Sequence, residues 1–292
     1  MTELSRHAPA APIALADFDA VALEGPDAVA FAQAQLATDV NAIAVGQWGW
    51  ACWLEPKGRV IALMLMLRVA EDRILLLLPG RRATEIADRL RRYVIRSKVK
   101  VTAQTPAVQG VFNAGPATGL AQGGALAGAG DHWRIELGGA AGRAIELGVE
   151  PATHDDIGRA HWRVADAADG IAWLEGAAIE SWIPQALGLA RLHAFSTRKG
   201  CYPGQEIVAR THFLGRSKRA LWRAALPAGA SPPAAGTRCL AIDAGAGAEA
   251  LAEVVYAAAG ADGGWVLAVG RDGSDTRLLA EGGIGPLAFS PV

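Results

Sequence analysis

The chain has 292 residues, 51% apolar and 20% charged, with a net charge of −1. Such a length predicts two or three folding units, and the charge balance excludes a disordered chain or a general nucleic-acid coat. The cysteines, Cys52, Cys201 and Cys239, are odd in number and far apart, which excludes a disulfide framework and a zinc site with paired ligands.

Met1–Pro12 is polar, then rich in alanine and proline. It lacks the apolar run and cleavage site of a signal peptide, so a reducing cytoplasm is the expected location. Phe18–Leu23 reads as a strand, after which Gly25-Pro26-Asp27 opens a helix with Val29, Ala32, Leu36 and Val40 on one stripe. Trp48–Leu54 is strand-like, and Glu55-Pro56-Lys57-Gly58 puts proline second and glycine fourth in a type I turn. Strands at Arg59–Arg68 and Ile74–Leu78, a helix over Arg81–Tyr93 and a strand at Val99–Val101 complete the unit. The order is read as β-α-β-β-α-β, a ferredoxin-like unit over residues 18–103. Val60–Leu67 and Ile74–Leu78 are too short to span a bilayer, so buried strands and no membrane association are expected.

Gly115–Gly130 is rich in glycine and alanine and reads as a loop. Strands are expected at Trp133–Leu137 and Arg143–Val149, and helical pieces at Asp155–Ala168 and Ile183–Leu189. Beyond Gly215, short β-type runs at Ala220–Leu226, Arg238–Ile242, Ala252–Ala257 and Trp265–Val269 alternate with Gly, Pro and Asp. That spacing predicts a small closed sheet or barrel. The expected division is 1–215 and 216–292.

Residues 199–206, Lys-Gly-Cys-Tyr-Pro-Gly-Gln-Glu, carry the densest chemistry. Gly200 and Gly204 allow backbone angles and close approaches that a side chain blocks. Pro203 suits the first turn of a helix, and Gln205-Glu206 place an acid there. Cys201 then lies near a helix N-terminus and two residues from Lys199, both favouring thiolate. The bland alternative is a small buried side chain, which is the reading kept for Cys52 and Cys239. Lys199 suits a partner of the thiolate, a contact to a ligand carboxylate, or a solvated lysine. Glu206 is either a dipole-stabilised carboxylate or a contact to ligand donors, and Gln205 is a similar case.

Lys199–Arg210, with Arg216-Ser217-Lys218-Arg219 after it, resembles the YgfZ family, folate-binding proteins linked to tRNA modification and iron–sulfur assembly. Phe31–Val40, Lys57-Gly58-Arg59-Val60, Tyr93–Val99 and Ile183-Pro184-Gln185 match its patterns in order, with Ala34, His193 and Thr197 as departures. The resemblance implies an α+β, aminomethyltransferase-like fold of three lobes, with a ferredoxin-like unit and a small C-terminal β-barrel. It implies a central cavity for tetrahydrofolate or a one-carbon derivative, with Trp162 and Phe18 as aromatic walls. Tyr202, Gln205, Glu206 and Arg210 join them as cofactor-binding candidates, and Cys201 and Lys199 are the catalytic candidates. Implied partners are folate and iron–sulfur client enzymes or assembly proteins.

The related aminomethyltransferases of the glycine-cleavage system carry acidic residues just after the step matched by Val60-Ile61. Here Ala62-Leu63-Met64 follow, and an apolar side chain accepts no proton. An accessory or binding role is therefore expected over the alternative, folate-dependent aminomethyl transfer. A second alternative, a cysteine hydrolase using Cys201 with His193 or His212, lacks an Asp or Asn partner. The basic run Arg81–Lys100 reads first as a solvated helix face, or else as a landing strip for a polyglutamyl folate tail or for RNA phosphates. Arg210, Arg216, Lys218, Arg219 and Arg223 form a second basic cluster, but no nucleic-acid motif accompanies either, which argues against direct nucleic-acid binding. The six histidines show no ligand spacing, so no metal site is expected.

Overall fold

The structure is a computed structural model that describes residues 9, 11–116, 118–149, 155–215, 217–242, 248–271, 277–281 and 284–292. Arg216 and most of Met1–Pro12 lie outside the described residues.

The first sheet runs Lys100–Gln104, Asp19–Glu24, Arg73–Leu78, Val60–Ala70, Gln47–Leu54 and Gly123–Ala125, all antiparallel. Helices α1 (Ala28–Gln35) and α2 (Ala83–Arg91) cover one face, against Val21, Leu23, Met64, Met66 and Leu76. The ferredoxin-like unit carries one strand more than the six-element scheme. Three strands, not two, separate the helices, and Gln47–Leu54 is the addition. Ala20, Ala22, Leu63, Leu65 and Leu77 point to the opposite face, into a core shared with the rest of the molecule. Burial on both faces explains why Val60–Leu67 is an unbroken apolar run instead of an alternating one.

A second sheet orders Ile13–Ala14, Val108–Val111, Arg143–Leu147, His132–Gly138 and Ala127–Ala129. Helix α3 (Asp156–Ala168) follows it, and the Asp155 carboxylate caps its start by accepting from Ile157 N at 3.0 Å. The C-terminal strands Arg219–Leu226, Arg238–Ala241, Ala252–Gly260, Gly263–Arg271, Arg277–Ala280 and Ile284–Pro291 close into a barrel. Val255, Tyr256, Leu267 and Val269 of the barrel join the same core as Trp162 and Ala165 of α3.

Four local expectations change. The Gly115–Gly130 stretch contains two strands, Gly123–Ala125 and Ala127–Ala129, whose exposed small residues pair through backbone alone and give no periodicity. Ile183–Leu189 is a series of turns: Ala186 N and Leu187 N share the Ile183 carbonyl and Gly188 is left-handed at φ 64°. Helix α1 stops at Gln35, short of the stripe's last member Val40. The last two barrel strands escape a sequence reading because one is four residues long and the other holds Pro286 and Pro291.

Candidate functional site

Where the two sheets, α3 and the barrel meet, two adjoining cavities of about 430 and 370 Å³ share Asp17, Pro79, Arg81, Arg163, Trp173 and Glu175. Phe18, Trp162 and Tyr256 line the first, and Leu63 and Ile179 the second. Phe18 meets Trp173 edge-on at 5.9 Å and Phe112 meets Trp162 at 5.4 Å, the geometry that ring quadrupoles favour.

Both tryptophans are fixed from behind by buried charge. Trp173 Nε1 donates to Asp166 Oδ2 at 2.9 Å, and Arg143 donates to Asp166 Oδ1 at 2.6 Å and to Asp169 at 2.8 Å. The Arg143 guanidinium also lies 4.6 Å from the centre of the Trp162 ring. Burial pushes the Asp166 carboxyl above its ordinary value, and Arg143 opposes that shift. Gly110 completes the support: a Cβ there would lie 2.5 Å from Trp162 Cε3. Toward the opening, Arg163 pairs with Glu175 and reaches Asp17 at 3.9 Å, with its guanidinium 5.3 Å from the Tyr256 ring centre.

The signature octapeptide, residues 199–206, lies elsewhere. Helix α4 (Gln205–Phe213) starts after Gly204, which is left-handed at φ 78°, so Pro203 stands before the cap instead of in the first turn. A Cβ on Gly204 would come within 2.6 Å of Gly58 Cα and 2.7 Å of the Glu55 carbonyl oxygen. The turn Glu55–Gly58, closed by Gly58 N donating to Glu55 O at 2.8 Å, thus abuts the signature. Gly200 is different: its φ is not positive and the space where a Cβ would stand is open, so the turn does not need glycine there.

Cys201 is exposed. Lys199 is buried, and its ammonium donates to the carbonyls of Gln33, Leu36 and Thr38 and lies 5.1 Å from the centre of the Tyr202 ring. The three donors of Lys199 are thus committed to carbonyls at and just beyond the end of α1. Tyr202 is buried and its hydroxyl donates to Ser196 O at 2.8 Å. Glu206 and Arg210 pair with each other at 3.3 Å on the exposed side of α4. None of Tyr202, Gln205, Glu206 and Arg210 lines either central cavity, whereas Phe18 and Trp162 line one together. The expected single constellation is therefore two separate features. Between them, Trp50 meets Trp173 at 5.7 Å and lines a third cavity of about 530 Å³ beside His193 and Ser196.

Residues 10–120 match the family model of the GCVT N-terminal domain. The chain is 30% identical over 256 residues to the tRNA-modifying protein YgfZ of Sodalis glossinidius, spanning 80% of this chain and 76% of that protein. The chain belongs to the YgfZ family. Another member, the tRNA-modifying protein YgfZ of Serratia proteamaculans, is 28% identical over 254 residues, 79% of this chain and 76% of that one. Among solved structures, aminomethyltransferase T of the glycine cleavage system from Bartonella henselae aligns with a TM-score of 0.69 at 16% identity, over 99% of this chain and 87% of that one. That likeness establishes the aminomethyltransferase-like fold.

Within this YgfZ-family chain the cavity residues suit a flat heterocycle. Aromatic rings form the walls, and Glu175 keeps one carboxylate oxygen without a hydrogen bond among the described residues. Trp162 Nε1 is a buried donor with no acceptor there, and such orphans call for a partner. Trp173, Glu175, Arg163 and Tyr256 went unread in the sequence. For Trp173 and Glu175 the one signal was an acid two residues after a tryptophan, in a segment without helical or strand periodicity, whereas Arg163 and Tyr256 lie in a helix and a strand whose pattern does not say what they face. Among the described residues no group of His, Cys, Asp and Glu is arranged to hold a metal, and no helix is long and apolar enough to cross a membrane.

Proposed function

We propose that the central cavity binds tetrahydrofolate or a one-carbon derivative. The protein would serve tRNA modification, as the names of its relatives state for them, and Cys201 would be the thiol it presents to iron–sulfur enzymes or their assembly proteins in a reducing cytoplasm. The observation that carries the reading is the joining of Phe18, Trp162 and Trp173 with the Glu175 carboxylate in one cavity. A pterin offers a flat ring to those aromatics and an edge of N–H donors to a carboxylate. Leu63, which lines the second cavity, supplies no acid to handle an amine, and Ala62 beside it packs under the helices on the other face of the sheet, which supports binding over aminomethyl transfer.

Equilibrium dialysis against tetrahydrofolate kept reduced tests the first half, and absence of binding at physiological concentrations ends it. The second half is tested in a deletion strain carrying wild type or Cys201→Ala, scored by thiolated tRNA and iron–sulfur enzyme activity. Full restoration by the alanine variant ends the thiol assignment.

A further inference from the structure

Among the described residues, four arginines line the two central cavities: Arg81, Arg82, Arg159 and Arg163. Three are engaged. Arg163 pairs with Glu175, Arg159 with Asp156, and Arg82 with Glu85 at 3.0 Å while also donating to Ile61 O at 3.0 Å. Arg81 lines both cavities, is exposed, and its guanidinium has no hydrogen-bond or ion-pair partner among the described residues. Asp19 is close enough to feel its charge, but Asp19 Oδ2 accepts from Ala83 N at 2.7 Å at the start of α2.

The backbone of Arg81 is also out of the ordinary. It is left-handed at φ 53°, directly after Gly80 at φ 87°, and its N–H donates to Asp17 O at 3.0 Å. A residue with a Cβ resists that conformation, and such strain collects at ligand sites. Here a long cation stands where glycine would sit without strain, tied by its own amide to the cavity wall.

We propose that Arg81 is the anion anchor of the cavity, its guanidinium holding the carboxylate tail of the bound ligand at the opening. The inference rests on the folate reading and adds to it that affinity depends on the acidic tail as well as on the ring. A guanidinium takes a carboxylate through two parallel N–H donors, and further carboxylates along a tail add attraction that salt screens.

Calorimetry with tetrahydrofolate, its triglutamate form and the tail-less 6-methyltetrahydropterin separates the parts. Arg81→Gln removes the charge, and Arg81→Gly removes the side chain while accepting the left-handed backbone. Both variants are expected to lose about tenfold in affinity for the two tailed ligands. Their affinity for the tail-less pterin should change by no more than about twofold, and added salt should shrink the wild-type advantage. Equal loss for all three ligands, or none for the tailed ones, overturns the anchor. Should the wild type bind the tail-less pterin as tightly as the tailed ligands, the anchor fails and the folate reading stands. Binding of none of the three by the wild type overturns both.

Discussion

Lys199 Nζ lies 2.7 Å from the carbonyl oxygen of Leu36, the C-cap residue of helix α1, and 2.9 Å from that of Thr38. With the Gln33 carbonyl, this makes the signature lysine the cap of a helix more than 160 residues upstream. Burial lowers its pKa to about 8 while Asp39 opposes the shift, so at neutral pH the ammonium still offers three donors to three carbonyls. Lys199→Met is expected to cost about 2–3 kcal/mol of stability in urea unfolding, because charged hydrogen bonds are lost and carbonyls are left unpaired. Alkylation of Cys201 by iodoacetamide in the folded variant should keep its wild-type rate. A clear slowing would return Lys199 to the role of thiol partner.

The two signature glycines should part company. Gly204→Ala forces a Cβ into Gly58 and Glu55 at a left-handed φ, and a loss of about 2–4 kcal/mol is expected from strain plus overpacking. Gly200→Ala meets open space and should stay within about 0.5 kcal/mol of wild type. Thermal unfolding of the two variants side by side decides it.

Gly110→Ala probes Trp162 without removing it. The new methyl would press on the ring at 2.5 Å and push it toward the cavity, at about 1–3 kcal/mol of stability. If Trp162 is a wall of the ligand site, tetrahydrofolate affinity should fall in the folded variant. Unchanged affinity would show that the ring is core only.

Asp19 provides a pH test. Burial is the main influence and raises its carboxyl pKa, with the Ala83 N–H, Arg81 and Arg82 opposing. A raised folded value means that the folded state holds the proton longer, so this group's contribution is greatest below its ordinary pKa and is lost as pH rises through the folded one. The stability advantage of wild type over Asp19→Asn should therefore be largest in acid and shrink toward neutrality. An advantage that grows with pH would refute the assignment.

The fold was legible in the sequence where burial left a pattern. The doubly buried run Val60–Leu67, the turn at Glu55–Gly58 and the first four barrel strands each follow from local chemistry. Strands that pair through backbone, such as Gly123–Ala125, leave no such pattern. Phe18 and Trp162 were legible as cavity walls through the family resemblance, but Trp173 and Glu175 were not, since a non-periodic segment reveals nothing of what faces it. The hydrogen-bond partners of Lys199 were hidden for a related reason: proximity in sequence points to Cys201, while the carbonyls it donates to belong to the end of α1, a contact of high sequence separation.

The contact between Gly58 and Gly204 bears on how this protein can be recombined. A graft of residues 199–213 into another member of the family would have to bring residues 55–58 with it. Neither backbone leaves room for a foreign Cβ at the seam, so the two segments are one transplantable part split across the chain.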